Sequence, residues 1–123
     1  IMPISNYFKS GDWKSEKHVP VITAPEKVSA EESFEVTVSI GDAIAHPNTL
    51  EHHISWMKLF YVQEGSQVLV EVASMQFSAH GELDNFTEPH FTTKIKVAKP
   101  GKLVAISYCN IHGLWESEAE VKF

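Results

Sequence analysis

The feature that most constrains the fold is an alternation of apolar and polar residues that repeats in short segments. Between Phe34 and Ile40 every second residue is apolar, and the turn residues Gly41 and Asp42 follow directly. Successive side chains of a strand point to opposite faces, so this period predicts a strand with one buried face. No segment shows the 3.6-residue period of an amphipathic helix. The sequence therefore predicts an all-β chain.

Further strands are predicted from the same alternation or from β-branched and aromatic content, with Gly, Pro and Asn turns between them. Residues 64–66 form a turn that joins two of these strands into a hairpin. About seven short strands without helices predict an immunoglobulin-like antiparallel β-sandwich, a single domain over residues 1–123. The first 15 residues are expected to form an irregular arm with Trp13 anchored in the core. The additional predicted strands are residues 19–22, 27–29, 54–62, 68–72, 91–97, 103–108 and 118–123.

Composition excludes several classes of function. The net charge is -6 without a basic stripe, which argues against a nucleic-acid partner. No apolar run approaches the roughly 20 residues that span a bilayer, so no membrane association is expected. The first residues lack the pattern of a secretory signal, which predicts a cytoplasmic location. A negatively charged chain repels an anionic substrate, so individual lysines beside a site become important.

Cysteine and histidine carry the chemical information. The single cysteine, Cys109, has no partner for an internal disulfide, and any thiolate metal chemistry must run through it. His112 follows three residues later around a turn, so sulfur and imidazole can reach one ion. On its own such a pair more often reflects a buried structural cysteine.

Two further histidine segments change this interpretation. His18 precedes a predicted strand and follows Glu16 and Lys17, which clusters a carboxylate, a cation and an imidazole. His46 and His52 flank a Pro-Asn turn, a spacing suited to a loop around an ion. All of these residues fall at strand ends or in loops, where a rigid sandwich can direct them to one point.

Taken in order, these segments resemble the superoxide reductase family of neelaredoxins and desulfoferrodoxins. The matching stretches are Gly-Asp-Trp-Lys at 11–14, Glu-Lys-His-Val-Pro at 16–20, His-Pro-Asn-Thr at 46–49, Glu-His-His at 51–53, Ala-His-Gly-Glu at 79–82 and Tyr-Cys-Asn-Ile-His-Gly-Leu-Trp at 108–115. The resemblance implies an immunoglobulin-like sandwich and one mononuclear iron that reduces superoxide to hydrogen peroxide.

The resemblance also implies roles for individual residues. Four imidazoles would surround the iron in a plane, with the Cys109 thiolate on one side and an open position on the other. His112 would bind through Nδ1 and the other three histidines through Nε2. Glu16 would occupy the open position in the oxidised state, and Lys17 would be the catalytic lysine. The four imidazole ligands would be His18, His46, His52 and His112.

The same resemblance implies partners. A rubredoxin-like protein would donate electrons, and the chain would form a homo-oligomer, expected to be a tetramer.

Two alternative functions are open. A cupredoxin-like copper carrier also combines a β-sandwich with histidine and cysteine ligands, but no methionine follows His112 to serve as the axial ligand. A non-catalytic zinc-binding or adhesion module is the other alternative.

Overall fold

The computed structural model describes residues 2–123, and it confirms the all-β prediction. Within these residues, seven strands form two antiparallel sheets that pack as an immunoglobulin-like sandwich. One sheet has the order β1-β2-β5 and the other the order β4-β3-β6-β7. The strands are β1 (Val21–Thr23), β2 (Phe34–Ser39), β3 (Ile54–Gln63), β4 (Val70–Gln76), β5 (His90–Ile95), β6 (Gly101–Cys109) and β7 (Gly113–Val121).

The core lies between the sheets and is built from the inward positions of the alternating strands. Val36 and Val38 of β2 are fully buried, and Met57 and Leu59 of β3 face them from the other sheet. The predicted hairpin of β3 and β4 is present, with Trp56 opposite Gln76 at one end and Tyr61 opposite Val70 at the other. Burial of large aliphatic side chains contributes roughly 1.5–3 kcal/mol each, which fixes the two sheets face to face.

Several predicted strand bounds were wrong, and one predicted strand is not present. β7 begins at Gly113, well before residue 118, because polar residues such as Ser117 interrupt its apolar alternation. β4 begins at Val70 and not at residue 68. Residues 27–29 form no strand, and only an isolated bridge joins Lys27 to Lys122.

The N-terminal arm is irregular as predicted, apart from a short 3-10 turn at Ile4–Tyr7. Lys9 then pairs with Trp115 at the edge of β7, so the arm lies beside the end of that strand. The prediction that Trp13 anchors the arm in the core was wrong, since its side chain remains 37% exposed. The turn closed on the Asp12 carbonyl by Ser15 and Glu16 holds this part of the arm at the surface.

The topology brings the candidate residues to one end of the sandwich. β3 and β6 are antiparallel neighbours, and Ile54 at the start of β3 pairs with Cys109 at the end of β6. The loop that precedes β3 and the turn that follows β6 therefore meet at the same sheet edge. Over residues 2–123, no helix has the length and hydrophobicity required to cross a membrane.

Candidate metal centre

Each candidate residue lies at the end of a strand or in the loop beside it. His18 is buried just before β1, and its carbonyl accepts a 3.0 Å hydrogen bond from Ser107 Oγ of β6. Cys109 is the last residue of β6 and is fully buried. His112 lies in the turn between β6 and β7 and is exposed, so solvent reaches the cluster from this side. His46 and His52 come from the loop before β3.

The potential ligand atoms converge closely. One ligand atom from each of four residues lies within 4.8 Å of the others, and these residues are His18, His46, His52 and Cys109. His112, the fifth candidate, joins them through Nδ1, which is 3.0 Å from Nε2 of His18 and 3.7 Å from Sγ of Cys109. The structure therefore brings all five sequence-predicted ligands together.

The four imidazoles form a closed ring around a common point. Neighbouring ring centroids are 4.7 Å apart for His18 and His46, 4.7 Å for His46 and His52, 5.0 Å for His52 and His112, and 4.7 Å for His112 and His18. The diagonal between the His18 and His52 centroids is 6.5 Å, close to the ratio to the sides that a square requires. Four imidazoles with centroids near the corners of a square, with the Cys109 sulfur beside them, are arranged to surround one ion.

Unpaired buried nitrogens test whether this arrangement fits a metal. Nε2 of His46 and Nε2 of His52 are both buried, and neither has a hydrogen-bond partner among residues 2–123. An unsatisfied buried polar atom costs about 1–3 kcal/mol. Two such atoms in one cluster fit the coordination of a cation, which accepts the nitrogen lone pairs.

Hydrogen bonds on the outer side of the rings fix the tautomers that a metal needs. Nδ1 of His46 lies 2.7 Å from the carbonyl of Pro47, which can only accept, so Nδ1 carries the proton and Nε2 keeps its lone pair. Nδ1 of His18 donates in the same way to the Glu16 carboxylate at 2.6 Å. Such outer partners orient ligand histidines and raise their basicity.

The electrostatic environment favours neutral imidazoles. Burial lowers the pKa of His46 from 6.5 to about 4, and the nearby His18 and His52 rings and the Lys17 charge act in the same direction. Burial also lowers the pKa of His18, against the opposing effect of its bond to Glu16. The pKa of His52 is lowered by burial and by its charged neighbours. Neutral rings are the form that binds metals.

Glu16 and Lys17 lie beside the ring of histidines in different roles. The Glu16 carboxylate accepts hydrogen bonds from the backbone N–H and the ring of His18, so it lies on the outer side of that ligand. This bond and the partial positive charge of the ring lower the pKa of Glu16. The positive charge of Lys17 lowers the pKa of His18, His46 and His52, so this charge lies near the cluster.

Several residues that shape the site were not predicted as functional. Trp115 stacks on the His18 ring with centroids 4.8 Å apart and an interplanar angle of 11°. His53 stacks on His80 at 3.5 Å, and His80 also contacts Asn48 Oδ1 at 2.8 Å, which ties the loop of His46 and His52 to a neighbouring loop. The sequence signal for these contacts was only that the residues stand inside the motifs.

The donor set itself suits a redox metal. Imidazole and thiolate ligands favour iron, copper and zinc over calcium or magnesium, which prefer oxygen. No methionine lies in the segment after Cys109 to complete a copper electron-transfer site, and four histidines exceed what such a site uses. Five donors are also more than the four of a closed structural zinc site.

Comparison with known proteins agrees with this geometry. The sequence profile described as desulfoferrodoxin matches residues 10–118. The chain belongs to the desulfoferrodoxin family. Neelaredoxin from Megalodesulfovibrio gigas is 46% identical and is matched over 98% of each chain. Superoxide reductase from Pyrococcus furiosus is also 46% identical, over 97% of this chain and 99% of the relative.

A solved structure within the same family gives the same fold. Superoxide reductase (neelaredoxin) from Archaeoglobus fulgidus in the reduced form is 45% identical to this chain, with a TM-score of 0.85 over 95% of this chain and 99% of that one. The family membership points to iron as the metal of the histidine and cysteine cluster, and the cupredoxin-like alternative is not favoured.

Proposed function

We propose that this member of the desulfoferrodoxin family is a superoxide reductase, which reduces superoxide by one electron to hydrogen peroxide. The observation that carries the proposal is the square of four imidazoles beside a buried cysteine, with two buried nitrogens that have no partner in the described part of the chain. The relatives named superoxide reductase support it, because they match this chain over nearly its whole length.

The ligand roles follow the chemistry of the donors. Four neutral imidazoles and one thiolate would hold the metal, and these come from His18, His46, His52, His112 and Cys109. When bound there, iron supplies the one-electron couple that the reduction requires. His112 presents Nδ1 toward the cluster, whereas His46 and His52 present Nε2.

A backbone hydrogen bond fixes the sulfur of Cys109. The residue is fully buried, and its sulfur accepts a 3.4 Å hydrogen bond from the backbone N–H of His112. The same contact fixes the turn of residues 109–112, so Cys109 and His112 approach the ion from one rigid segment.

Lys17 would act on the substrate. Superoxide is a monoanion and the whole chain carries a net charge of -6, so the overall field opposes its approach. A half-buried lysine beside the histidines reverses that field locally and raises the anion concentration at the site. Ordered water beside its ammonium group can deliver the protons that peroxide release requires.

Glu16 would have two roles. Its bond to Nδ1 orients the His18 ring, as carboxylates do for ligand histidines in many metal sites. The family resemblance also implies a second role, in which the carboxylate would bind the oxidised metal.

Four further properties are predicted from the sequence alone. They comprise one iron for the single domain of residues 1–123, a rubredoxin-like electron donor, a tetrameric assembly and a cytoplasmic location. A donor is required because each turnover consumes one electron, and the one cysteine leaves no ligands for a cysteine-bound second iron.

Metal analysis together with the visible spectrum tests the proposed site. The oxidised protein should contain iron and show a broad thiolate-to-iron charge-transfer band. Cys109→Ser should remove the band and the superoxide reductase activity. Copper or zinc as the native metal would contradict the proposal, as would a band that survives the Cys109 substitution.

A further inference from the structure

The side chain of Asn110 connects the two segments that carry the proposed ligands. Its Oδ1 accepts a 2.8 Å hydrogen bond from the backbone N–H of His53, and its Nδ2 donates a 2.9 Å hydrogen bond to the carbonyl of Glu51. These two backbone groups lie on either side of His52. Asn110 itself directly follows Cys109.

The Asn110 side-chain amide takes the place of a backbone peptide group at the end of the β3 and β6 pair. Cys109 is the last residue of β6 and pairs with Ile54, and the Asn110 N–H continues the ladder with a 3.2 Å bond to the His53 carbonyl. Beyond this point the main chain turns away to bring His112 toward the sulfur. The Asn110 side chain extends the pairing along residues 51–53 that the backbone has left.

We propose that Asn110 is a positioning residue that fixes the imidazole of His52 relative to the sulfur of Cys109. The amide combines an NH2 donor group with a carbonyl acceptor, and the structure uses both groups on the peptide groups that flank His52. Thr49 also bonds the backbone of His52, but it lies in the same loop and so does not fix that loop relative to Cys109. Movement of the 51–53 segment would therefore displace one corner of the square.

The expected effect is larger on metal retention than on folding. Asn110 is exposed, as is Glu51, so water can replace the lost bonds when the side chain is removed. Unlike water, a covalently attached amide holds both segments at a fixed separation. Loss of an outer partner of a ligand weakens metal binding by roughly 10- to 100-fold, and the proposal, which rests on iron binding at the proposed site, predicts this range.

Release of iron tests the proposal directly. The Fe(II)-loaded protein is mixed anaerobically with excess chromogenic Fe(II) chelator, and the release rate is measured for wild type, Asn110→Ala and Asn110→Asp. The aspartate variant keeps the acceptor for His53 but offers no donor to the Glu51 carbonyl. Both variants should release Fe(II) roughly 10- to 100-fold faster than wild type, and the charge-transfer band of the oxidised proteins should shift or broaden.

Asn85 provides a matched control in an exposed loop that supplies none of the proposed ligands. Its Nδ2 donates to the carbonyls of Glu82 and Leu83, so Asn85→Ala also removes two side-chain hydrogen bonds to backbone. This variant should keep the wild-type release rate and band. Wild-type release by Asn110→Ala, or equal acceleration in Asn85→Ala, would overturn the positioning role. Failure of the wild type to bind Fe(II) would instead refute the iron site itself.

Discussion

Acidification should destabilise the metal-free protein, because the histidines of the proposed site fold as neutral rings. The pKa of His46 falls from 6.5 to about 4 on folding, mainly through burial. The unfolded chain therefore binds more protons than the folded chain in this interval, so stability falls as the pH falls. The contribution is fully present above the unfolded pKa and is lost toward the folded pKa.

The magnitude follows from these two pKa values. For His46 alone, proton linkage gives a loss of about 2 kcal/mol between about pH 7 and pH 5. The pKa values of His18 and His52 are lowered as well, so they add to the loss in the same direction. Against a total free energy of unfolding of roughly 5–15 kcal/mol for a small domain, this effect is large enough to measure.

Urea unfolding of the chelator-treated protein, followed by tryptophan fluorescence at both pH values, measures this loss. His46→Gln should be less sensitive to pH than wild type by about 2 kcal/mol over this interval. His90→Gln, which replaces an exposed histidine of β5, is the matched control and should behave as wild type. An equal loss of stability in wild type and His46→Gln would refute the assignment of a neutral, buried ring.

Three further predictions concern the substrate, the site wall and the sheet. Lys17→Ala should retain the charge-transfer band but slow superoxide consumption by roughly tenfold at low salt, with a weaker salt dependence, in stopped-flow measurements; a wild-type rate at low salt would refute the steering role. Trp115→Leu should lower the free energy of unfolding by about 1–3 kcal/mol, since the ring is only 9% exposed and stacks on His18; a stability equal to wild type in denaturant titration would show that this stack contributes little. Gly101→Ala should destabilise the protein by about 1–3 kcal/mol or more, because a Cβ there would lie 2.2 Å from the carbonyl oxygen of Val62. A milder effect is expected for Gly65→Ala, where only the positive φ of 84° opposes the side chain. A larger loss of thermal stability in Gly65→Ala than in Gly101→Ala would contradict the packing described for the β3 and β6 pair.

The fold was predictable where one strand face is uniformly apolar. In β2 the buried apolar positions are Phe34, Val36 and Val38, so period-2 alternation alone locates the strand. The predicted β7 was too short, because Ser117 stands on the face that the alternation requires to be apolar. The order of strands within each sheet depends on contacts between distant segments, which alternation does not encode.

The site was predictable to the extent that its residues stand in short motifs. Cys109 and His112 are close in sequence, and the spacing of the other histidines suited loops around an ion. The prediction that Trp13 is a core anchor failed because aromatic character alone does not specify burial. The stacking partner Trp115 and the bridging amide of Asn110 depend on backbone geometry, so their contacts emerge only in three dimensions.

The proposed reductase activity is tested most directly by the stoichiometry of peroxide formation. Fe(II)-loaded protein is mixed anaerobically with a limiting amount of superoxide, and hydrogen peroxide and dioxygen are quantified. One-electron reduction predicts one peroxide for each superoxide consumed, without dioxygen, and oxidation of one Fe(II) for each peroxide. One peroxide and one dioxygen for every two superoxides would indicate dismutation, and no acceleration of superoxide loss would contradict the proposed function altogether.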